Sequence, residues 1–334
     1  ESNPLDDESL LKKYRTIKVG MTELVKTALV DFELTPKEKA RSTNMFALGL
    51  LYWLYERNID STINFLNKKF SKKPVIAESN IKSLKTGYYY GETIEVIKTT
   101  YKVEKAEFSK GLYRNIMGNH ALSLGLVAAA EKANVELYFA GYPITPASDV
   151  LKYLSNYKNF GVKTFQAEDE IAAITSVLGS AFTGKLAVTA SSGPGIALKG
   201  EAIGLGVIAE LPLVILNIQR GGPSTGLPTK TEQSDLFQAI YGRNGECPCV
   251  VLAASSPSDC FEVAVEASRI AMEHMIPVIL LSDGYIANGS EPWKIPDVSK
   301  IPIIKTNFAK PNSNDFMPYK HDEKTLARKW AIPG

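Results

Sequence analysis

The chain has 334 residues, 45% of them hydrophobic and 22% charged, with a formal net charge of +2. That is the balance of a globular protein of two domains, or of one large domain with an appendage. The near-neutral charge gives no footing for nucleic acid or an acidic membrane surface, and no run of about 18 apolar residues is present to span a bilayer.

Residues 1–98 read as mostly helical. In "TPKEKARSTNMFALGLLYWLYERN", Thr35 is an N-cap, Pro36 falls in the first turn, and a long apolar stripe follows. Lys-rich and Ser-rich segments come next and carry no chemistry. Residues 99–116 read as a connecting arm. Over 117–300 the texture changes, and apolar runs alternate with helical periods. The runs are "VELYFAG" (135–141), "LAVTASS" (186–192), "LPLVILNIQ" (211–219), "CVVLAAS" (249–255) and "PVILLSDG" (277–284). Ala-rich helical patterns such as "DEIAAITSVLGSAF" and "SDCFEVAVEASRIAMEH" lie between them. Five strands alternating with helices predict a doubly wound, mainly parallel α/β sheet. Residues 301–334 read as a linker towards a further, C-terminal domain, and the start at Glu1 and the stop after "KWAIPG" read as those of a fragment.

Three cysteines, Cys247, Cys249 and Cys260, are too few for a disulfide framework and fit a reducing compartment. Cys247 and Cys249 flank a single proline, a spacing too tight for zinc or an iron–sulfur cluster, so no metal ligand is assigned. With no charged-then-apolar leader ahead of the first segment, the expected location is the cytoplasm.

In a doubly wound sheet, ligands collect where strands deliver their carboxyl ends. After the first run comes Tyr142-Pro143-Ile144-Thr145-Pro146. Thr145 before Pro146 suits a helix start, a hydroxyl cap and a first-turn proline, with Asp149 near the positive end of the dipole. The sharper reading is that the prolines stiffen the loop and hold the Thr145 hydroxyl towards a ligand. In "QAEDEIAAITSVLGSAFTG", Glu168, Asp169 and Glu170 open a helix that Ile171, Ile174, Val177, Leu178 and Ala181 mark as buried. Acids in a first turn favour the dipole. One of these must also face inward, where an apolar setting beside like charges would raise its pKa; periodicity does not say which. Arg220 follows the strand "LPLVILNIQ" and suits either a rim ion pair or a bidentate grip on a substrate carboxylate.

Other signals are weak. "GPSTG" (222–226) matches a hydrolase elbow around Ser224, with Asp283 and His321 later in the right chain order. The helix that must follow such a serine is replaced by Gly226-Leu227-Pro228, and His321 sits in a polar tail. "GGPSTGLPTK" lacks the ending of a Walker phosphate loop, and "GPGIAL" has Leu198 where the dinucleotide fingerprint needs its third glycine.

Taken in order, "GNHAL", "GYPITPASD", "QAEDEIAAITSVLGSAFTG", "TASSGPG" and "LPLVILNIQRGGPSTGLPTKTEQSDL" resemble the alpha subunit of 2-oxoacid:ferredoxin oxidoreductases. "GPSTGLPTKTEQSDL" is most similar to the 2-oxoglutarate branch. The resemblance covers roughly residues 115–300, and the helical part ahead of it looks like the tail of a fused gamma domain. It implies a pyrimidine-binding domain for thiamine diphosphate. A glutamate nine residues before a helix glycine holds the aminopyrimidine ring nitrogen in that class; counting back from Gly179 assigns this role to Glu170. Tyr142, Pro143 and Ile144, and the "SSGPG" loop with Ser192, Gly193 and Gly195, are implied to line the cofactor, where glycine lets backbone come close. Thr145 and Arg220 are implied at the substrate's oxo and carboxylate groups, and Lys230 is a candidate for the distal carboxylate of 2-oxoglutarate. The prolines then do both jobs, starting a helix and aiming Thr145.

The departures are as informative. "SDGY" (282–285) lacks the downstream Asn of a magnesium–diphosphate motif, and no cysteine set for an iron–sulfur cluster is present. In the family both belong to a beta subunit, which makes this chain half of an active site. The implied partners are that beta subunit in a dimer of alpha–beta units, ferredoxin, a 2-oxoacid and CoA. Pyruvate or branched 2-oxoacids are the alternative substrates, and a non-catalytic α/β scaffold is the alternative role. A ferredoxin-independent thiamine decarboxylase would need both cofactor-binding domains in one chain, and this chain shows one.

Overall fold

The computed structural model describes residues 3–94, 99–311 and 316–333. Two compact units divide between Ser109 and Lys110, inside the arm expected over 99–116. The boundary expected at residue 98 falls outside the described residues.

The first unit is helical: α1 (Glu8–Lys13), α2 (Met21–Ala28), α3 (Pro36–Arg41), α4 (Thr43–Leu54), α5 (Asp60–Lys69) and α6 (Pro74–Thr93). Thr35 caps α3 as its sequence predicts. Its hydroxyl accepts from the Glu38 N–H at 3.3 Å, and the Glu38 carboxylate accepts from the Thr35 N–H at 2.9 Å. The stripe beyond does not run on as one helix, because α3 ends at Arg41 and α4 begins after Ser42. Val25, Leu29 and Phe46 form the buried core of this unit.

The second unit runs β1 (Tyr113–Met117), α7 (Gly118–Ala133), β2 (Leu137–Gly141), α8 (Ser148–Leu154), β3 (Lys163–Gln166), α9 (Glu170–Phe182) and β4 (Leu186–Ser191). It continues with α10 (Gly193–Leu198), α11 (Gly200–Ile208), β5 (Leu213–Gln219), α12 (Leu236–Tyr241), β6 (Val250–Ala253) and α13 (Asp259–His274). Last come β7 (Pro277–Asp283), α14 (Gly284–Asn288) and β8 (Ser290–Lys294). Six strands form a parallel sheet in the order β3-β2-β4-β5-β7-β6, while β1 and β8 pair antiparallel outside it. The five expected strands are all present. The sixth, β3, was not expected: "KTFQ" is short and polar, and as an edge strand it buries little. The end of the expected arm is also a strand, β1.

Side-chain alternation sorts the central strands onto two cores. Val214, Leu216, Val278 and Leu280 face one side, where α7 and α13 bring Leu122, Leu126, Ala264 and Ala267. Leu213, Ile215, Ile279 and Leu281 face the other, against Ile174 and Val177 of α9 and Ile203 of α11. Both faces are covered, so β5 and β7 are buried along their whole length. The described residues beyond 301, a stretch expected to lead away as a linker, belong to this unit. Trp330 is 1% exposed, stacks on Phe308 at 4.9 Å, and its indole N–H donates to the Ala181 carbonyl at 3.0 Å.

From β2 the chain moves outward to β3 and then returns to the other side of β2 as β4. That reversal makes the carboxyl ends of β2 and β4 the switch point of the sheet, the usual place for a ligand in such a fold.

Candidate active site

Two clusters line this carboxyl edge. The first joins the loop after β2 to the loop after β5. Here the helix expected from Thr145 begins later: α8 starts at Ser148 with Ala147 as its N-cap, and no side chain caps it. The reason lies in the two carbonyls before it. Arg220 Nη1 donates to the Thr145 carbonyl at 2.7 Å, and buried Asn119 Nδ2 donates to the Pro146 carbonyl at 2.9 Å. Donors from distant elements hold the backbone that a Thr145-capped helix would have used. The Thr145 hydroxyl is left exposed, as are Tyr142 and Pro143, while Ile144 packs partly into the core.

Arg220 is 8% exposed and, among the described residues, forms no rim ion pair. Its Nη2 donates to the Thr225 carbonyl at 2.6 Å, and its Nε–H has no partner among the described residues. A guanidinium carries five N–H donors, so a grip on a carboxylate remains open to it. Lys230 belongs to the same loop. Its carbonyl accepts from the Gly221 N–H at 2.8 Å and its own N–H donates to the Leu227 carbonyl at 3.0 Å, which folds the loop back beside Arg220. The Lys230 side chain is exposed, and among the described residues no acid pairs with it.

The second cluster surrounds Glu170. Glu168 and Asp169 are exposed, and Asp169 is the N-cap of α9, accepting from the Ala172 N–H at 2.7 Å. Glu170 is the acid that turns inward. A methyl group placed on Gly195 would lie 2.8 Å from Glu170 Cγ and would overlap the Ser191 hydroxyl, so the absence of a side chain there lets the carboxyl group approach the loop after β4. Gly193 is as tightly placed, with Asp235 Oδ2 2.7 Å from where a methyl would stand. Asp235 in turn accepts from Asn217 Nδ2 at 3.0 Å, and Gln238 Nε2 donates to the Gly193 carbonyl at 3.3 Å. Ile171, counted as buried in the sequence, is 51% exposed; Ile174, Val177, Leu178 and Ala181 carry the burial of α9.

Around this loop the buried oxygens of Ser191, Ser192, Asn217 and Gln238 have no hydrogen-bond partner among the described residues. Buried polar atoms are normally satisfied, so a set of them at one strand edge marks a place built for a polar ligand. With an inward carboxyl group and a loop stripped of side chains, the set fits a flat heteroaromatic amine such as an aminopyrimidine.

Sequence reasoning missed Asn217, Asp235, Gln238 and above all Lys199. Lys199 is fully buried, and its ammonium donates to the Glu170 carbonyl at 2.7 Å. Burial pulls its pKa down to about 8, against the charges of Glu170 and Asp169, which hold it up. A signal existed for two of these residues: Asn217 interrupts an otherwise apolar strand, and Lys199 stands alone in "GIALKGEAIG".

The hydrolase reading of Ser224 fails. Ser224 lies in a turn at φ 57° with no helix after it. His321 pairs with Glu210 at 2.7 Å, ahead of the amino end of β5. Asp283 sits at the carboxyl end of the parallel neighbour β7, capping α14 and accepting from Gln233 Nε2 at 2.6 Å. The three residues are not brought together.

The chain is similar to known proteins along its length. The model of the family described as "Pyruvate flavodoxin/ferredoxin oxidoreductase, thiamine diP-bdg" matches residues 128–333. The chain is 55% identical over 333 residues to 2-oxoglutarate oxidoreductase subunit KorA of Mycobacterium tuberculosis, covering 100% of this chain and 51% of that protein. It is 32% identical over 331 residues to 2-oxoacid:ferredoxin oxidoreductase 1, subunit alpha, of Aeropyrum pernix, covering 95% of this chain and 50% of that one. A solved structure, the 2-oxoglutarate:ferredoxin oxidoreductase from Magnetococcus marinus with 2-oxoglutarate, coenzyme A and succinyl-CoA bound, matches with a TM-score of 0.81 at 34% identity. That match covers 93% of this chain and 52% of the other. The chain spans about half the length of the curated relatives it matches. On these matches, with an inward glutamate and a bare glycine loop at the switch point of its sheet, the chain belongs to the thiamine diphosphate-binding family of pyruvate flavodoxin/ferredoxin oxidoreductases.

Proposed function

We propose that this chain is the pyrimidine-binding, alpha-subunit part of a 2-oxoglutarate:ferredoxin oxidoreductase. The reaction converts 2-oxoglutarate and CoA to succinyl-CoA and CO2, with the electrons passing to ferredoxin. The observation that carries this reading is the seat of Glu170, whose side chain lies against the Gly195 loop at a strand edge where several buried oxygens have no partner among the described residues. The choice of 2-oxoglutarate is supported by the names of relatives that match the chain along its length.

Bound thiamine diphosphate supplies the carbon nucleophile that adds to the 2-oxo group. Glu170 gives and takes a proton at the aminopyrimidine ring nitrogen, a task for a positioned carboxyl group. Gly195 and Gly193 let Glu170 and Asp235 close on the loop beside the ring, and the Ser191 and Ser192 hydroxyls and the Gln238 amide oxygen, without partners among the described residues, are free to bond it. Arg220 takes the substrate's C1 carboxylate through its free Nε–H, with the Thr145 hydroxyl beside the oxo group and Lys230 at the distal carboxylate.

The magnesium–diphosphate site, the iron–sulfur cluster and the docking of ferredoxin belong, on this reading, to a beta subunit in a dimer of alpha–beta units. The surface supports such a partner. Leu198, Leu205, Ile208, Phe237 and Tyr241, from α10, α11 and α12, are all exposed, and exposed apolar residues in such number suit an interaction face. We assign residues 1–98 to the tail of a fused gamma domain. In the assembled complex, Glu170→Gln is expected to slow 2-oxoglutarate-dependent ferredoxin reduction by roughly 10²–10⁴-fold while circular dichroism is unchanged. Near-normal turnover would sink the assignment and favour a scaffold role.

A further inference from the structure

Lys199 has no part in the chemistry proposed above, yet it is tied to both walls of the Glu170 seat. Its backbone N–H donates to the Gly195 carbonyl at 3.2 Å, and its side-chain ammonium donates to the Glu170 carbonyl at 2.7 Å. Those two residues are the pair whose separation the site depends on, since a single methyl on Gly195 would collide with Glu170 Cγ. Lys199 also stands where α10 ends and α11 begins, closing the first and opening the second. We infer that Lys199 is a positioning residue that braces the first turn of α9 against the α10–α11 junction and so fixes the Glu170 carboxyl group beside the bare loop.

The choice of lysine needs this role. An ammonium group removed from water is strongly penalised unless ion pairs and hydrogen bonds repay it, and an apolar side chain of the same length would fill the space more cheaply. Lys199 is fully buried, and among the described residues no carboxylate forms a direct ion pair with it. Its bond goes instead to a backbone carbonyl within the residue that does the acid–base work. The charges of Glu170 and Asp169 favour its protonated form, which remains the major one at neutral pH. Burying a costly charge to hold one residue in place is a device for precision rather than for stability.

The inference rests on Glu170 acting on the cofactor, so the test carries Glu170→Gln beside Lys199→Met and the double variant, all in the assembled complex. Three quantities are read: the melting temperature without cofactor, the thiamine diphosphate affinity by calorimetry, and turnover. Lys199→Met is expected to melt at or above the wild-type temperature, because the buried charge is gone. It should bind thiamine diphosphate roughly tenfold more weakly and turn over roughly ten- to a hundredfold more slowly, the worth of one charge-assisted hydrogen bond. The double variant should be no worse than Glu170→Gln alone, because the brace acts only through that carboxyl group. Normal affinity and turnover in Lys199→Met would overturn the inference and leave the reading of Glu170 intact, as would losses in the double variant that multiply. Normal turnover in Glu170→Gln would overturn both. If the Met variant does not assemble, Lys199→Gln, neutral but still a donor, takes its place in the same comparison.

Discussion

Arg220 reaches from the end of β5 past the end of β4 to hold the Thr145 carbonyl at 2.7 Å, joining two strand ends that are not neighbours in the sheet. Its other terminal nitrogen holds Thr225. Arg220→Lys keeps the charge but presents a point donor in place of a planar fork. We expect kcat/KM to fall roughly 10- to 100-fold with 2-oxoglutarate and with 2-oxobutyrate alike, since both share the C1 carboxylate. Steady-state kinetics on both substrates decide it; a loss confined to one would reject the role.

Lys230 should behave differently. Its side chain is exposed and free of acids among the described residues, so Lys230→Ala is expected to leave the melting temperature unchanged. The loss, roughly tenfold in kcat/KM, should appear with 2-oxoglutarate and not with 2-oxobutyrate, which has no distal carboxylate. Equal losses would return Lys230 to the role of a solvated loop residue.

Two glycines near α9 offer an internal contrast. A methyl on Gly195 would overlap Ser191 and press on Glu170, whereas one on Gly179 meets nothing within 4 Å. Gly195→Ala is expected to cost about 1–3 kcal/mol of stability and at least about a hundredfold in turnover per folded molecule. Gly179→Ala, in a helix interior, should stabilise the chain by about 0.5–1 kcal/mol. Urea melts paired with turnover would separate the two, and an active, stable Gly195→Ala would show that the approach of Glu170 to this loop is not needed.

Trp330 is buried, stacked on Phe308 and bonded to α9. Trp330→Ala should destabilise the α/β unit by about 3–5 kcal/mol, as large aromatic truncations in a core do. A denaturation midpoint near that of the wild type would mean that the segment beyond 301 is only loosely attached.

The buried lysine predicts a pH signature. Lys199 titrates at about 8 in the folded protein against an ordinary 10.5, so the folded state gives up this proton first. Between those values the unfolded chain holds more protons, and stability rises with pH. Relative to Lys199→Met, the wild type should therefore gain on the order of 3 kcal/mol between pH 7.5 and 10.5. Urea midpoints for both proteins across that range test it; parallel curves would show that the ammonium is not desolvated as described.

The parts of this fold that were legible in the sequence are those whose side chains see only neighbours close in pattern. The runs that became β5 and β7 are apolar throughout because both of their faces are covered, and that composition shows without any structure. "KTFQ" was invisible because its side chains are mostly exposed and backbone pairing to β2 leaves no mark on them, whereas β6, at the other edge, half-buries the apolar run that shows it. At Thr145 the local chemistry of a helix cap was correct as chemistry and lost to donors from Asn119 and Arg220, each far away in the chain. The inward acid followed from the resemblance and not from periodicity, since Glu168, Asp169 and Glu170 all suit a first turn. Lys199 left only a faint signal, a lone cation in a mostly apolar stretch, and that scans as a solvated flank until its neighbours are known.

The helix α9 is held at both ends by very different means. Its first turn carries Glu170, and its last offers the Ala181 carbonyl to the indole of Trp330. A helix of 13 residues is about 20 Å of nearly incompressible rod. The tail segment clasped at Phe308 and Trp330 thus works as a thrust bearing for the carboxyl group at the far end. Slack in that bearing would reach the other end of the rod as play in the seat of Glu170 beside its bare loop.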